Sequence, residues 1–163
     1  MRWFNKNEMI RCYRERQQDR CRECRLQQAA SRLPNGIEEN IEALVEQVLD
    51  PARERLGKPV VVNSGFRCLI HNKAVGGAYN SQHVSGQAAD IAPAGFKVKD
   101  SGFKEELAKL ARIIVQNGKF DQLIIYPTFV HVSWKRLGGN RQQILRKVGN
   151  GYEAVSRKEV LGV

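Results

Sequence analysis

Two histidines and one aspartate carry the most distinctive chemistry in this sequence. His83 and Asp90 stand on either side of Gly86 in the stretch NSQHVSGQAADI. Asp90 is flanked by Ala88, Ala89, Ile91 and Ala92, and a carboxylate in such apolar company is expensive to bury unless something pairs with it. A metal ion is one such partner; a hydrogen bond within the core is the other. His131 stands in VHVSW, where strand alternation puts Phe129, His131 and Ser133 on one face. Two imidazoles and one carboxylate form a familiar catalytic zinc set that leaves a fourth position for water. Zinc makes that water acidic and polarises a carbonyl. A single buried histidine is also a common hydrogen-bonded core residue, and no HExxH motif occurs in the chain.

These residues need a scaffold, and the apolar pattern supplies one. Ile37, Ile41, Leu44, Val45, Val48 and Leu49 recur at helical spacing, with Pro51 set to kink that helix or start a second segment. Pro59–Asn63 reads as a strand, residues 69–74 as a short helix, and Ala88–Ala92 as a strand of small residues. Residues 102–117 form a second amphipathic helix, ended by Asn117-Gly118. Leu123–Tyr126 and Phe129–Trp134 read as neighbouring antiparallel strands around Pro127-Thr128. Residues 142–148 and 152–155 are weaker strand candidates. Strands and helices mix without strict alternation, so the class is α+β. His71 is expected on a helix surface and is not counted as a ligand. Trp134 is placed either in a substrate groove or in the core.

The chain has 163 residues, 42% of them apolar, enough for one domain with a core. No apolar run reaches membrane-spanning length, and the N-terminus shows no apolar signal region. The net charge of +10 is unevenly spread: residues 1–33 and 135–163 each carry a surplus of five positive charges, and the middle is neutral. Basic ends suit a polyanionic partner or are simply solvated. Cys12, Cys21 and Cys24 contain one CxxC, read as thiols on a basic helix, with a metal knuckle or redox pair as the alternative. The expected organisation is a basic, cysteine-containing segment at 1–36, a zinc-peptidase-like domain at 37–148, and a tail or final strand at 149–163.

Several separated motifs, in order, resemble the zinc D-alanyl-D-alanine carboxypeptidase family, within the hedgehog-like group of peptidoglycan metallopeptidases. The pattern Ser-x-His-x-x-Gly-x-Ala-x-Asp is met by Ser81, His83, Gly86, Ala88 and Asp90. The later histidine is met by His131, and an SGFR turn by Ser64, Gly65, Phe66 and Arg67. The resemblance runs from about Ile37 to Arg146. It implies a small antiparallel sheet flanked by helices, with zinc on one sheet face held by His83, Asp90 and His131. It implies that Arg67 binds a substrate carboxylate through its guanidinium fork, and that Ser81 and Gln82 shape the rim or support the ligands. The implied reaction is hydrolysis of an amide bond in a peptidoglycan stem peptide, of carboxypeptidase or endopeptidase type, at the cell wall or in the periplasm.

One departure from the family pattern bears on catalysis. Relatives place a carboxylate or histidine a few residues before the last histidine ligand, as general base and then acid. This chain has Tyr126 and Thr128 there. A phenol is a poor base at neutral pH but can donate a hydrogen bond to an oxyanion. Asp121 is the nearest acid, either catalytic or orienting His131 from outside the ligand set. Two alternative functions follow: a zinc- and wall-peptide-binding protein of impaired catalysis, and a basic nucleic-acid-binding protein. The second lacks a nucleic-acid-binding motif and a continuous basic face. The pattern says nothing of oligomeric state.

Overall fold

A row of paired residues crosses the sheet and fixes everything placed on it. The computed structural model describes residues 1–11 and 33–163; Cys12, Cys21 and Cys24 fall outside them. Six strands, β1 (Val60–Ser64), β2 (Ala88–Pro93), β3 (Gln122–Ile125), β4 (Val130–Ser133), β5 (Gln143–Val148) and β6 (Gly151–Ala154), form one sheet in the order β1-β2-β4-β3-β5-β6. Ser64 faces Asp90, Asp90 faces His131, His131 faces Ile124, Ile124 faces Leu145 and Leu145 faces Ala154. Because side chains alternate with period two, this row lies on one face. The neighbouring row, Ala89, Val132, Leu123 and Ile144, lies on the other and is buried.

The sheet is mixed, which corrects the expected all-antiparallel arrangement: β3 and β5 are parallel. The reason is topological. The β3–β4 hairpin returns the chain to the end of the sheet where β3 begins, and β2 already covers the other edge of β4. Beside β3 the next strand finds an unpaired edge, and it enters from the same end. Gln143 N–H donates to the Asp121 carbonyl at 3.0 Å and locks that entry.

The helices are α1 (Lys6–Ile10), α2 (Ile37–Leu44), α3 (Asp50–Leu56), α4 (Leu69–Ala74), α5 (Ser101–Asn117) and α6 (Arg157–Leu161), with a π-helical turn at Val45–Leu49 between α2 and α3. The apolar stripes of α2, the π turn and α5 are buried with the rear rows of the sheet in one core. The π turn is the structural answer to Pro51. Proline cannot donate to the carbonyl of Gln47 and its ring crowds that oxygen. The helix widens by one residue there, and the Asn117 side chain donates to the Gln47 carbonyl at 3.1 Å instead. His71, expected at a surface, is 8% exposed on α4. The N-terminal residues join the same core: Phe4 and Met9 are buried, and α1 carries a capping box between Asn5 and Glu8.

The loop bearing His83 is held against α2. Gly86 has a φ of 69°, a left-handed conformation that suits glycine. A Cβ there would lie 2.9 Å from the Ile37 carbonyl oxygen and 3.2 Å from Ile41 Cγ1. Asn40 adds a hydrogen bond from its side chain to the Ser85 carbonyl at 2.9 Å. Gly86→Ala therefore combines backbone strain with a close contact, and a loss of about 1–3 kcal/mol in urea unfolding is the expected outcome. An unchanged midpoint would show that the loop does not depend on this approach.

Candidate active site

The three ligand candidates meet on the front face of the sheet. Asp90 and His131 are cross-strand partners on β2 and β4, and their side chains project together. His83 arrives from the loop before β2, whose turns are closed by Val84 N–H to Ser81, Ser85 N–H to Gln82 and Gly86 N–H to the His83 carbonyl. His83 Nε2 lies 3.2 Å from Asp90 Oδ1 and 3.2 Å from His131 Nδ1, and His131 Nδ1 lies 2.9 Å from Asp90 Oδ1. With bonds of about 2.0–2.2 Å, donors around a tetrahedral zinc stand roughly 3.3 Å apart. The observed triangle is close to that size.

The protonation pattern also asks for a cation. His83 Nδ1 lies 2.7 Å from the Gly65 carbonyl oxygen, which can only accept, so Nδ1 carries the hydrogen. Nε2 of the neutral ring then presents its lone pair to Asp90 and His131. Burial lowers the His83 pKa, outweighing the nearby Asp90 carboxylate. Burial by itself would raise the Asp90 carboxyl, but the hydrogen bond from His131 leads the interactions that hold it well below the ordinary range. A neutral imidazole facing a carboxylate is an arrangement that a bound divalent ion resolves. Among the described residues, His83, Asp90 and His131 form the group able to hold one.

The triangle opens into a cleft of about 720 Å³. Arg67, from the SGFR turn after β1, lines it together with Ser81 and Gln82. The Arg67 guanidinium bonds Ser64 Oγ at 2.7 Å and Asp90 Oδ2 at 2.6 Å, so it braces the ligand carboxylate from behind. Tyr126 stands at the end of β3, stacked on Phe129 with ring centroids 4.3 Å apart. Burial and the hydrogen bond to Tyr152 push its pKa up, which keeps the phenol protonated. Trp134 packs against the core and is not among the cleft residues.

Asp121 is fully buried and does not line the cleft. It accepts from Arg141 Nη2 at 2.6 Å, from Arg141 N–H at 2.9 Å and from Gln82 Nε2 at 3.1 Å, with Lys135 Nζ 3.3 Å away. Three residues that the sequence did not single out as site residues also border the cleft: Lys135, Arg141 and Tyr152. Tyr152 Oη lies 3.0 Å from Tyr126 Oη. The signal for Tyr152 was its alternation within a short strand after Asn150-Gly151, visible only once β5 is known to pair with β3.

A family model described as Peptidase M15 matches residues 4–133. The chain belongs to the peptidase M15 family. It is also similar to the zinc D-Ala-D-Ala carboxypeptidase of Streptomyces albus G, at 50% identity over 44 residues, or 26% of this chain. The match spans 17% of that relative's length. No helix of the described residues is long and apolar enough to cross a membrane.

The Asp121 network yields a pH prediction. Burial opposes ionisation, but the Arg141 and Lys135 hydrogen bonds prevail and bring the carboxyl down to about 2. A depressed folded-state value means stability that is full above the unfolded value near 4 and lost as pH falls towards 2. Asp121→Asn should destabilise the protein at pH 7 by on the order of 2 kcal/mol. The gap to wild type should narrow as the pH is lowered through that window. Urea titrations at several pH values check this; a pH-independent gap would assign the effect to packing.

Proposed function

We propose that this chain is a zinc peptidase acting on peptidoglycan stem peptides, cleaving a terminal or internal amide bond. The observation that carries the reading is the convergence of His83 Nε2, Asp90 Oδ1 and His131 Nδ1 at the base of an open cleft. Membership of the peptidase M15 family and likeness to a zinc D-Ala-D-Ala carboxypeptidase support it. The substrate places its work at the cell wall or in the periplasm.

In this reading His83, Asp90 and His131 hold zinc. When bound, zinc supplies the Lewis acidity that activates a water and polarises the scissile carbonyl. Arg67 keeps Asp90 charged and oriented, and its remaining N–H donors take a substrate carboxylate. Ser81 and Gln82 form the rim, with Gln82 held in place through Asp121. Tyr126 keeps its proton and donates from Oη to the oxygen that gains charge as the carbonyl is attacked. Tyr152 fixes that hydroxyl's direction. Asp121 acts as a positioning residue, since its oxygens are already taken by Arg141, Lys135 and Gln82.

A second reading is favoured by one observation. Among the described residues Asp90 is the sole carboxylate lining the cleft, and no carboxylate stands where Tyr126 does. A protein that binds zinc and wall peptides with little turnover would look the same.

Purified peptidoglycan and peptides ending in D-Ala-D-Ala separate the two readings. Hydrolysis should stop on chelation and return with zinc. His83→Ala and Asp90→Ala should lose both metal and activity. Tyr126→Phe should keep one zinc per chain and lower kcat by about 100-fold with little change in KM. Stoichiometric zinc and peptide binding without any product would replace the enzyme by the binding protein. An active, metal-free His83→Ala protein would overturn the zinc site itself.

A further inference from the structure

We infer that the N-terminal strap, residues 1–11, is a working part of the metal centre: it positions His83 through a single shared peptide unit. This rests on the reading of His83 as a metal ligand.

The peptide between Gly65 and Phe66 is bonded at both ends. Its N–H, from Phe66, donates to the Met9 carbonyl at 2.6 Å. Its C=O, from Gly65, accepts from His83 Nδ1 at 2.7 Å. The chain of contacts therefore runs from Met9 oxygen through one peptide to the imidazole, whose Nε2 is the ligand atom. Hydrogen bonds in series polarise one another. A carbonyl whose own N–H end is engaged becomes a better acceptor, which fixes the Nδ1–H tautomer and makes Nε2 a stronger donor to a metal.

The approach of the strap explains the glycine of the SGFR turn. A Cβ on Gly65 would lie 2.1 Å from the Met9 carbonyl oxygen, an impossible contact. Gly65 is thus the residue that lets α1 come close enough to hold the peptide. A second tie fixes the same histidine: Arg67 N–H donates to the His83 carbonyl at 3.1 Å. The turn consequently grips both the ring and the backbone of His83.

The strap is secured independently of the site. Phe4 and Met9 are buried in the core. Arg2 N–H and Trp3 N–H donate to the Asp50 carboxylate at 2.5 and 2.9 Å, Arg2 pairs with Glu54 at 2.7 Å, and Lys6 pairs with Glu38 at 2.5 Å. These ties run to α2 and α3, so a rigid helical layer backs the peptide that orients the ligand. Met9 and Gly65 are positioning residues in this account; neither touches the metal or the substrate.

The test compares metal affinity with overall stability. Gly65→Ala displaces the Met9 carbonyl, and Met9→Ala loosens the strap from the core. Leu110→Ala, in the core on α5, is the control for general destabilisation. Each full-length protein is titrated with zinc against a chromophoric chelator, its cobalt(II) absorption spectrum is recorded, and the His83 Nδ1 proton is followed by NMR. Both strap variants should bind zinc at least about 10-fold more weakly, alter the cobalt spectrum and shift or broaden the Nδ1 proton. Leu110→Ala, at comparable loss of Tm, should leave all three readouts near wild type.

Wild-type zinc affinity in both strap variants would overturn the inference, as would an equal loss in Leu110→Ala. If Gly65→Ala does not fold, Met9→Ala decides. A wild-type protein that takes up no zinc would instead refute the metal reading on which the inference rests.

Discussion

Three electron-rich atoms, two from imidazoles and one from a carboxylate, are brought within hydrogen-bond distance of one another in a largely buried place. Left alone, this crowding is unfavourable: burial disfavours a charged imidazole, and a neutral one turns its lone pair on Asp90. The rest of the structure is arranged to hold the three together. Antiparallel pairing sets Asp90 beside His131, the Gly86 turn seats the His83 loop on α2, and Arg67 balances the carboxylate from the far side. Each restraint is local and weak by itself. Together they hold the donors converged, the kind of preorganisation that lowers the cost of binding.

The same geometry accounts for what the cleft lacks. Asp121 has the right chemistry for a base, yet its burial and its ties to Arg141 and Lys135 turn it into a fastening for the cleft wall. Near the cleft mouth stands Tyr126 instead, a group that holds its proton tightly. A site so built is richer in hydrogen-bond donors than in groups able to take up a proton.

The grouping of His83, Asp90 and His131 was largely legible in the sequence because its signals are local. Gly86 between His83 and Asp90 gives the bend, and alternation in VHVSW gives the face of His131. The two long amphipathic helices were equally plain from their spacing, and Pro51 marked the break between α2 and α3. The parallel pairing of β5 was not legible. It depends on which sheet edge is vacant, and that is a property of the whole fold. Tyr152 was hidden with it, since the strand that carries it is short and largely exposed. The burial of His71 was missed because the exposed residues around it on α4 give no amphipathic pattern. Nor did the sequence show why Gly65 is a glycine, because the atom it avoids belongs to a backbone carbonyl far away in the chain.

The parallel seam between β3 and β5 divides the sheet into two parts. On one side lie His83, Asp90 and His131, all within the stretch that the peptidase M15 family model matches. On the other lies a hairpin, residues 143–154, that supplies a wall of the cleft without supporting any donor atom. Such a joint is mechanically one-sided: a change of length or charge in the hairpin alters the Tyr152 edge of the cleft, while the pairing of Asp90 with His131 stays as it is. The margin of the cleft and its three converging donors are thus held by separate strand pairs.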